Sequence, residues 1–155
     1  MARARWKVFM YPLGIYSFHP FLVGGVRPME KRYKLLMVED NPDHLALMLE
    51  HLPDSLFEID TATTFRAAID KVRKNDYEII TIDYYLPDGN GMDLMKEISA
   101  IHPGQKMILV TAETDPELSF EALRAGALDL VVKSYQYFKQ LKDRIIESLE
   151  DDEDY

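Results

Sequence analysis

The stretch that decides the fold is residues 79–95, IITIDYYLPDGNGMDLM. Its apolar run, Ile79 to Ile82, is typical of a short β-strand that helices cover on both faces. Asp83 ends the run, a loop rich in Asp and Gly follows through Gly91, and the apolar spacing from Met92 to Ile101 predicts a helix. This stretch therefore predicts one strand–loop–helix unit with an acidic residue at the end of the strand.

The same alternation of apolar run and amphipathic stretch occurs five times between Tyr33 and Leu149. The other four apolar runs are Lys34–Val38, Phe57–Thr61, Met107–Val110 and Leu128–Val132. Alternating strands and helices are the pattern of α/β proteins, and right-handed crossovers place helices on both faces of a parallel sheet. The run that starts at Phe57 alternates apolar with acidic residues, which favours an edge strand. We therefore predict a three-layer, doubly wound α/β fold with a five-stranded parallel sheet.

Several helix starts are marked by residues whose side chains can cap free backbone N–H groups. Asn41 and Asp115 each precede a proline, which fits the first position of a helix. Thr63 or Thr64 is a candidate cap for another helix, and the last helix is predicted from Ser134 to about Leu149. These starts separate the predicted strands by one helix each.

The composition fits one globular domain of ordinary size. The chain has 155 residues, of which 47% are hydrophobic and 29% are charged, enough to enclose a core. It has no cysteine, which excludes disulfide frameworks and cysteine nucleophiles and makes a cytoplasmic location the simplest expectation. The net charge is −9, and an acidic surface repels phosphate backbones, so we expect no direct binding of nucleic acid.

Residues 1–32 do not follow this pattern and are basic, with six Lys or Arg against one acidic residue. From Val8 to Val26 there is no Lys, Arg, Asp or Glu, so a signal peptide or a membrane anchor is one interpretation. Two prolines and three glycines in the segment argue against a continuous spanning helix, and we expect no membrane association. We predict a disordered extension or an over-long start at 1–32, a folded domain at 33–149 and a solvated acidic tail at 150–155.

Four of the predicted strands are followed by side chains that carry chemistry. These side chains are Glu39 and Asp40 after the first strand, Asp83 after the third, Thr111 after the fourth and Lys133 after the fifth. Ligands of open α/β sheets bind beyond the carboxyl ends of the strands, so these side chains are expected to meet in one place. Close carboxylates repel one another unless a cation lies between them, and this arrangement predicts a cation site.

The residue types favour magnesium and phosphoryl chemistry. Mg²⁺ prefers oxygen ligands, typically one or two carboxylates together with water and phosphate oxygens. A carboxylate beside such a metal can attack phosphorus and form an acyl phosphate. The Lys133 ammonium and the Thr111 hydroxyl would help to neutralise the oxygens of the transferred group. Each residue alone also fits an ordinary structural role, and it is their joint placement at four strand ends that predicts a site.

Four segments resemble the signature blocks of response-regulator receiver domains. They are LLMVEDN at 35–41, IITIDYYLPDGNGMDLM at 79–95, ILVTAE at 108–113 and AGALDLVVKSY at 125–135. Their order and spacing are those of the family. The resemblance implies a flavodoxin-like receiver fold with strand order 2-1-3-4-5, in a receiver of the stand-alone type.

The resemblance also implies roles for single residues. Asp83 would be the phosphoacceptor, with Thr111 and Lys133 as the hydroxyl and the ammonium that act on the phosphoryl group. The implied Mg²⁺ ligands are Glu39, Asp40, Asp83 and the backbone carbonyl of Tyr85. Ala112 would be the small residue that leaves room for the phosphoryl group, and Glu113 would influence the lifetime of the acyl phosphate.

Two positions depart from the family pattern. Leu130 stands where the family usually has a Tyr or Phe ring that moves inward on phosphorylation, and a leucine cannot make that movement. Ser134 stands where the family usually has a proline after a cis bond, and a cis bond before serine would cost about 2.5 to 4 kcal/mol. Aromatic residues nearby offer a substitute contact: Tyr135, Tyr137 and Phe138. The departures put the usual route of signal output in question.

We expect a signalling phosphoacceptor, not a classical enzyme, although one that promotes its own phosphorylation and dephosphorylation. Its partners would be a sensor histidine kinase or a histidine phosphotransfer protein, and a downstream protein. A homodimer through the face of the fourth helix, fifth strand and fifth helix is a further expectation.

Two alternatives remain. One is a receiver-like interaction module whose binding does not depend on phosphate, which the departures at Leu130 and Ser134 keep open. The other is a phosphatase of the haloacid-dehalogenase type, which also uses an Asp nucleophile with Thr and Lys. That type normally has a second acid two residues after the nucleophile, where this chain has Tyr85.

Overall fold

The computed structural model describes residues 5–10, 16–21 and 32–150. These residues belong to two compact units, which span 1–30 and 31–155. Within the second unit, strands and helices alternate along the chain as predicted from the sequence.

The first unit contains two short strands that pair antiparallel, β1 (Arg5–Met10) and β2 (Tyr16–Phe21). The sequence predicts a disordered extension or an over-long start at residues 1–32, and this stays a prediction beside the two paired strands. Aromatic residues in both segments favour an extended backbone. The remaining residues of 1–31 lie outside the described part of the chain, and the domain boundary at residue 33 stays a prediction.

The second unit is built on a parallel sheet. Its strands are β3 (Tyr33–Val38), β4 (Phe57–Ala62), β5 (Ile79–Asp83), β6 (Tyr85–Leu86), β7 (Gly89–Asn90), β8 (Met107–Thr111) and β9 (Asp129–Val132). Five of them form one sheet in the order β4-β3-β5-β8-β9, and all four pairings are parallel. Counted from Tyr33 this is the order 2-1-3-4-5, so the predicted fold class is confirmed, with β4 at an edge.

One helix follows each strand of the large sheet. The helices are α1 (Pro42–His51), α2 (Phe65–Val72), α3 (Gly91–Ile101), α4 (Pro116–Arg124) and α5 (Tyr137–Glu150). The predicted caps are present: Asn41, Thr64 and Asp115 each accept hydrogen bonds from backbone N–H groups of the first turn. Each cap satisfies donors that the helix itself cannot pair, typically worth about 1 kcal/mol.

The last helix begins later than the sequence predicts. It starts at Tyr137 instead of Ser134, because Gln136 has a φ of 72° and this left-handed backbone interrupts a helix. Between residues 32 and 150 no peptide bond is cis, so the bond that precedes Ser134 is trans. Residues 151–155, most of the predicted acidic tail, lie outside the described part of the chain.

The core lies on both faces of the large sheet. One buried cluster joins Leu36 and Ile80 to residues of α2, α3 and α4, and the other joins Leu35 and Ile79 to residues of α1 and α5. These four strand residues are fully buried, and each such side chain contributes about 1.5 to 3 kcal/mol through the hydrophobic effect. Packing on two sides fixes the strands, so the carboxyl edge of the sheet is a rigid platform.

No helix among the described residues combines the length and the apolar character that a membrane span needs.

Candidate functional site

The parallel register brings the predicted site residues to one edge of the sheet. Glu39 and Asp40 directly follow β3, and Asp83 is the last residue of the neighbouring β5. One carboxylate oxygen from each of these three residues lies within 4.8 Å of the other two. Glu39 and Asp83 are buried, with 2% and 6% of their surface exposed, whereas Asp40 is exposed. Two of the three acids are therefore held away from water at the floor of the site.

Lys133 closes the other side of this acidic cluster. Its ammonium donates to Asp83 Oδ2 at 2.7 Å and to Glu39 Oε2 at 2.9 Å. Its backbone N–H donates to the Thr111 carbonyl at 2.7 Å, which fixes the end of β9 against the end of β8. The lysine side chain is only 12% exposed, so its bonds to the two carboxylates are largely shielded from water.

The negative charges of the site outnumber the positive ones. Burial raises the pKa of Asp83, and the negative charge of Glu39 raises it further, although the Lys133 ammonium opposes both effects. Burial lowers the pKa of Lys133, but its bonds to the two carboxylates outweigh this and raise the pKa. Three carboxylates face one ammonium, so two negative charges remain in excess when all groups are ionised.

The donor set fits a hard divalent cation. All the ligand atoms offered by Glu39, Asp40 and Asp83 are carboxylate oxygens, the ligands that Mg²⁺ prefers. A divalent charge would also balance the excess that the single ammonium leaves. Glu39 Oε1 accepts from the Asn41 N–H at 3.0 Å, which holds this carboxylate in place at the start of α1.

The loop after Asp83 depends on a glycine for its close return to the sheet. A Cβ on Gly91 would lie 2.6 Å from the Asp83 carbonyl oxygen and 2.9 Å from the Leu109 side chain. The Gly91 N–H also donates to the Tyr84 carbonyl at 2.7 Å. Any larger residue at 91 would displace the backbone of Asp83 itself.

Asp88 links the same loop to a helix, a contact that could not be predicted from the sequence. Its two carboxylate oxygens accept from the backbone N–H groups of Phe65 at 2.6 Å and Arg66 at 3.0 Å. These bonds, led by the one from Arg66, lower the pKa of Asp88. Loop and helix are distant in sequence, so only the folded structure reveals that Asp88 caps α2 together with Thr64.

A second pair of polar residues lies beside the site on β6 and after β8. The Tyr85 hydroxyl donates to Glu113 Oε1 at 2.5 Å, and this bond raises the pKa of the phenol. The Glu113 N–H donates to the hydroxyl oxygen of Thr111 at 3.0 Å, and Thr111 is fully buried. The implied roles of the Tyr85 carbonyl, Thr111 and Glu113 remain predictions, but all three residues belong to the same edge of the sheet.

His44 is a neighbour of the site that the sequence analysis missed. Its Nδ1 lies 3.4 Å from the Lys133 ammonium and 3.7 Å from Glu39 Oε2. Only the cap at Asn41 could have pointed to it, since that cap places His44 in the first turn of α1. A lone histidine in a helix carries no pattern that distinguishes it from a surface residue.

The structure shows the surroundings of the two positions that depart from the family pattern. Leu130 is partly buried and packs against the core cluster on the α2–α3–α4 face. Ser134 is exposed and follows Lys133 through a trans bond. Neither residue offers an aromatic ring beside the buried hydroxyl of Thr111.

A five-stranded doubly wound sheet with an acidic cluster and a lysine at its carboxyl edge defines the class of receiver domains. The family model described as response regulator receiver domain matches residues 35–146. The chain therefore belongs to the receiver domain family of response regulators, the regulators of two-component systems.

Individual relatives agree with this assignment. The chain is 31% identical over 118 residues to the chemotaxis protein CheY of Thermotoga maritima, covering 75% of this chain and 94% of that protein. A CheY-like receiver domain protein of Methanospirillum hungatei superimposes with a TM-score of 0.72 at 27% identity, covering 79% and 98% of the two chains. The response regulator TrrA of Thermotoga maritima, solved in complex with Mg²⁺ and BeF, gives 0.67 at 30% identity, covering 76% and 99%.

Proposed function

We propose that this receiver accepts a phosphoryl group on Asp83 from a phosphohistidine, with Mg²⁺ held by Glu39, Asp40, Asp83 and the Tyr85 carbonyl. The observation that carries the proposal is the contact of the Lys133 ammonium with both Asp83 and Glu39 at the acidic edge of the sheet. A structural ion pair would balance its charges, whereas this cluster keeps an excess of carboxylate. The excess is the arrangement expected of a site that takes up a cation and an acyl phosphate.

The chain's own groups account for the steps of the transfer. A carboxylate oxygen of Asp83 forms the new bond to phosphorus, while the phosphorus–nitrogen bond of the phosphohistidine breaks and its electron pair returns to the imidazole. Lys133 can exchange its bond to Asp83 Oδ2 for one to a phosphoryl oxygen, because the ammonium already lies 2.7 Å away. When bound, Mg²⁺ supplies Lewis-acid stabilisation of the negative charge on the phosphoryl oxygens.

The Thr111 hydroxyl is the second group proposed to engage the phosphoryl group. It is buried at the end of β8, next to the strand that carries Asp83, and its oxygen already accepts from the Glu113 N–H. The hydroxyl proton is therefore the part of Thr111 that can turn toward a new acceptor. In the proposed dephosphorylation step, water attacks phosphorus and restores the Asp83 carboxylate with release of phosphate. The Tyr85–Glu113 pair is proposed to regulate that attack.

Signal output is proposed to occur through protein partners in the cytoplasm. The donor would be a sensor histidine kinase or a histidine phosphotransfer protein. Apolar side chains are exposed on and after α4: Phe120 at 66%, Leu123 at 54% and Leu128 at 49%. They support the proposal that the α4–β9–α5 face binds a downstream protein or a second copy of the chain.

The proposal is tested by intact-mass measurement after incubation with phosphoramidate or acetyl phosphate and Mg²⁺. Wild type should gain one phosphoryl group that hydroxylamine removes, and Asp83→Asn should gain none. Asp93→Asn is the matched control, because Asp93 is an exposed acid ten residues away in the same segment. A wild type without any mass gain, or an equal gain in Asp83→Asn, would contradict the proposal.

One observation favours a second candidate, the interaction module that does not depend on phosphate. Leu130 packs into the core where the family usually has a mobile ring, so phosphorylation has no aromatic switch at that position. This candidate predicts partner binding that is the same before and after treatment with phosphoramidate. Sustained release of phosphate from phosphomonoesters in the same assay would instead indicate a phosphatase.

A further inference from the structure

Lys133 has three N–H donors, and the structure shows a neighbour for each. Two donate to Asp83 and Glu39, and the third neighbour is His44, whose Nδ1 lies 3.4 Å from the ammonium nitrogen. An ammonium can only donate, so Nδ1 is the acceptor in this contact. The 3.7 Å separation of Nδ1 from Glu39 Oε2 is too long for a hydrogen bond, which leaves the lysine as the polar partner of this nitrogen.

The imidazole of His44 is held in place from two elements. Its backbone N–H donates to the Asn41 side chain at 3.2 Å, which fixes the first turn of α1. From α5, the Tyr137 ring lies 6.2 Å away at 74° and the Phe138 ring 6.4 Å away at 71°, both edge-on. Edge-to-face packing restrains the imidazole, although its side chain is still 36% exposed.

We propose that His44 is a positioning residue, which orients the Lys133 ammonium toward Asp83 and so raises the rate at which Asp83 accepts a phosphoryl group. The inference rests on the function proposed above and deepens it. A lysine side chain has four rotatable bonds, and a third anchor reduces the freedom that it must lose when it engages the phosphoryl group. Because a neutral imidazole is a weaker acceptor than a carboxylate, it orients the ammonium without drawing it away from Asp83.

Two substitutions at His44 test the acceptor nitrogen and the aromatic ring separately. His44→Phe keeps an aromatic ring for Tyr137 and Phe138 but removes the acceptor nitrogen. His44→Asn loses the ring but keeps a side-chain oxygen close to the position of Nδ1. His51 provides matched controls on the same helix, since its ring stacks on Phe138 at 5.7 Å and its Nδ1 contacts the Leu47 carbonyl, away from Lys133.

The measurement is the rate constant of phosphorylation by phosphoramidate at saturating Mg²⁺, followed by intact mass, with thermal unfolding of each variant recorded alongside. His44→Phe should slow phosphorylation roughly three- to tenfold, the effect of losing one long hydrogen bond to the Lys133 ammonium. His44→Asn should stay within about twofold of wild type. His51→Phe and His51→Asn should match wild type.

The rates of the two His44 variants either support or contradict the positioning role. A wild-type rate in His44→Phe, or equal slowing in His44→Phe and His44→Asn, would overturn the positioning role. Slowing in His44→Asn alone would show that ring packing matters and not the acceptor, which also overturns it. A wild type that gains no mass would defeat the proposed function itself, and this outcome is distinct from the others because it does not involve His44.

Discussion

The clusters around Asp60 and around Asp83 both combine an aspartate with a lysine, but their effects on the pKa of the aspartate are opposite. On the edge strand, Asp60 accepts from the Lys71 ammonium, from the Tyr77 hydroxyl at 2.7 Å and from the Thr61 N–H at 2.9 Å. Burial raises the pKa of Asp60, but these bonds together outweigh it and lower the pKa. At the carboxyl edge, burial and a second carboxylate raise the pKa of Asp83 instead.

The difference lies in how the charges are matched. Asp60 has one ammonium and two further donors for one carboxylate, and it is partly exposed to water. Asp83 shares one buried ammonium with Glu39. The first cluster stabilises the folded state, whereas the second keeps an excess of negative charge that a bound divalent cation would balance. Three experiments test this contrast.

The largest effect is expected from removing each lysine. Lys133→Met would leave Glu39 and Asp83 buried without their counter-charge and should lower the free energy of unfolding by about 3 to 5 kcal/mol. Lys71→Met removes a half-exposed partner of Asp60 and should cost about 1 kcal/mol or less. Urea unfolding at neutral pH without metal measures both values. Adding Mg²⁺ should restore part of the loss in Lys133→Met and none in Lys71→Met, and equal losses in the two variants would refute the contrast.

A smaller effect, of opposite sign in the two clusters, is expected from Asp83→Asn and Asp60→Asn. The raised pKa of Asp83 means that the folded state binds its proton more tightly, so wild type loses stability as the pH rises from the ordinary aspartate pKa through the folded one. Asp83→Asn should therefore be more stable than wild type by about 1 kcal/mol at pH 7 without metal. That gain should shrink toward pH 4.

Asp60→Asn should behave in the reverse way. The pKa of Asp60 is lowered in the folded state, so its contribution is present above the ordinary aspartate pKa and is lost as the pH falls through the folded one. The variant should be about 1 kcal/mol less stable than wild type at pH 7 and should approach it in acid. Urea unfolding across this pH range measures both variants, and parallel pH profiles would contradict the assignment of the two clusters.

The smallest effect is expected at two tyrosine hydroxyls. Tyr77→Phe removes one donor to Asp60 and should cost about 0.5 to 1 kcal/mol, since the ring keeps its contact with the core. Tyr137→Phe is the matched control, because among the described residues its buried hydroxyl has no hydrogen-bond partner. This control should leave stability unchanged or raise it slightly. Thermal unfolding resolves the two, and a larger loss in Tyr137→Phe would reveal an acceptor for that hydroxyl.

Most of the fold could be predicted because local signals and the fold agree. The five apolar runs became the five strands of the sheet within one or two residues, since the central strands must be apolar to be buried on both faces. The caps at Asn41 and Asp115 could be predicted because each directly precedes the helix that it caps. The late start of α5 could not be predicted, because a left-handed backbone is usually marked by glycine and this position holds Gln136.

The candidate site divides in the same way. The meeting of Glu39, Asp83 and Lys133 could be predicted because parallel strands end at one edge, whatever the distance along the chain. The contacts of His44 and Asp88 could not, because each joins a side chain to a partner that only tertiary packing brings near. Sequence patterns therefore identify the residues at strand ends, but not the side chains that become neighbours in the folded protein.

The bond between Lys133 and Glu39 spans 94 positions of the chain. During synthesis the acidic side chains therefore leave the ribosome long before their counter-charge does. A chain that stops short of residue 133 holds the buried carboxylates of Glu39 and Asp83 without the ammonium that pairs with them. These two charges can therefore reach their folded arrangement only once β9 has joined the sheet.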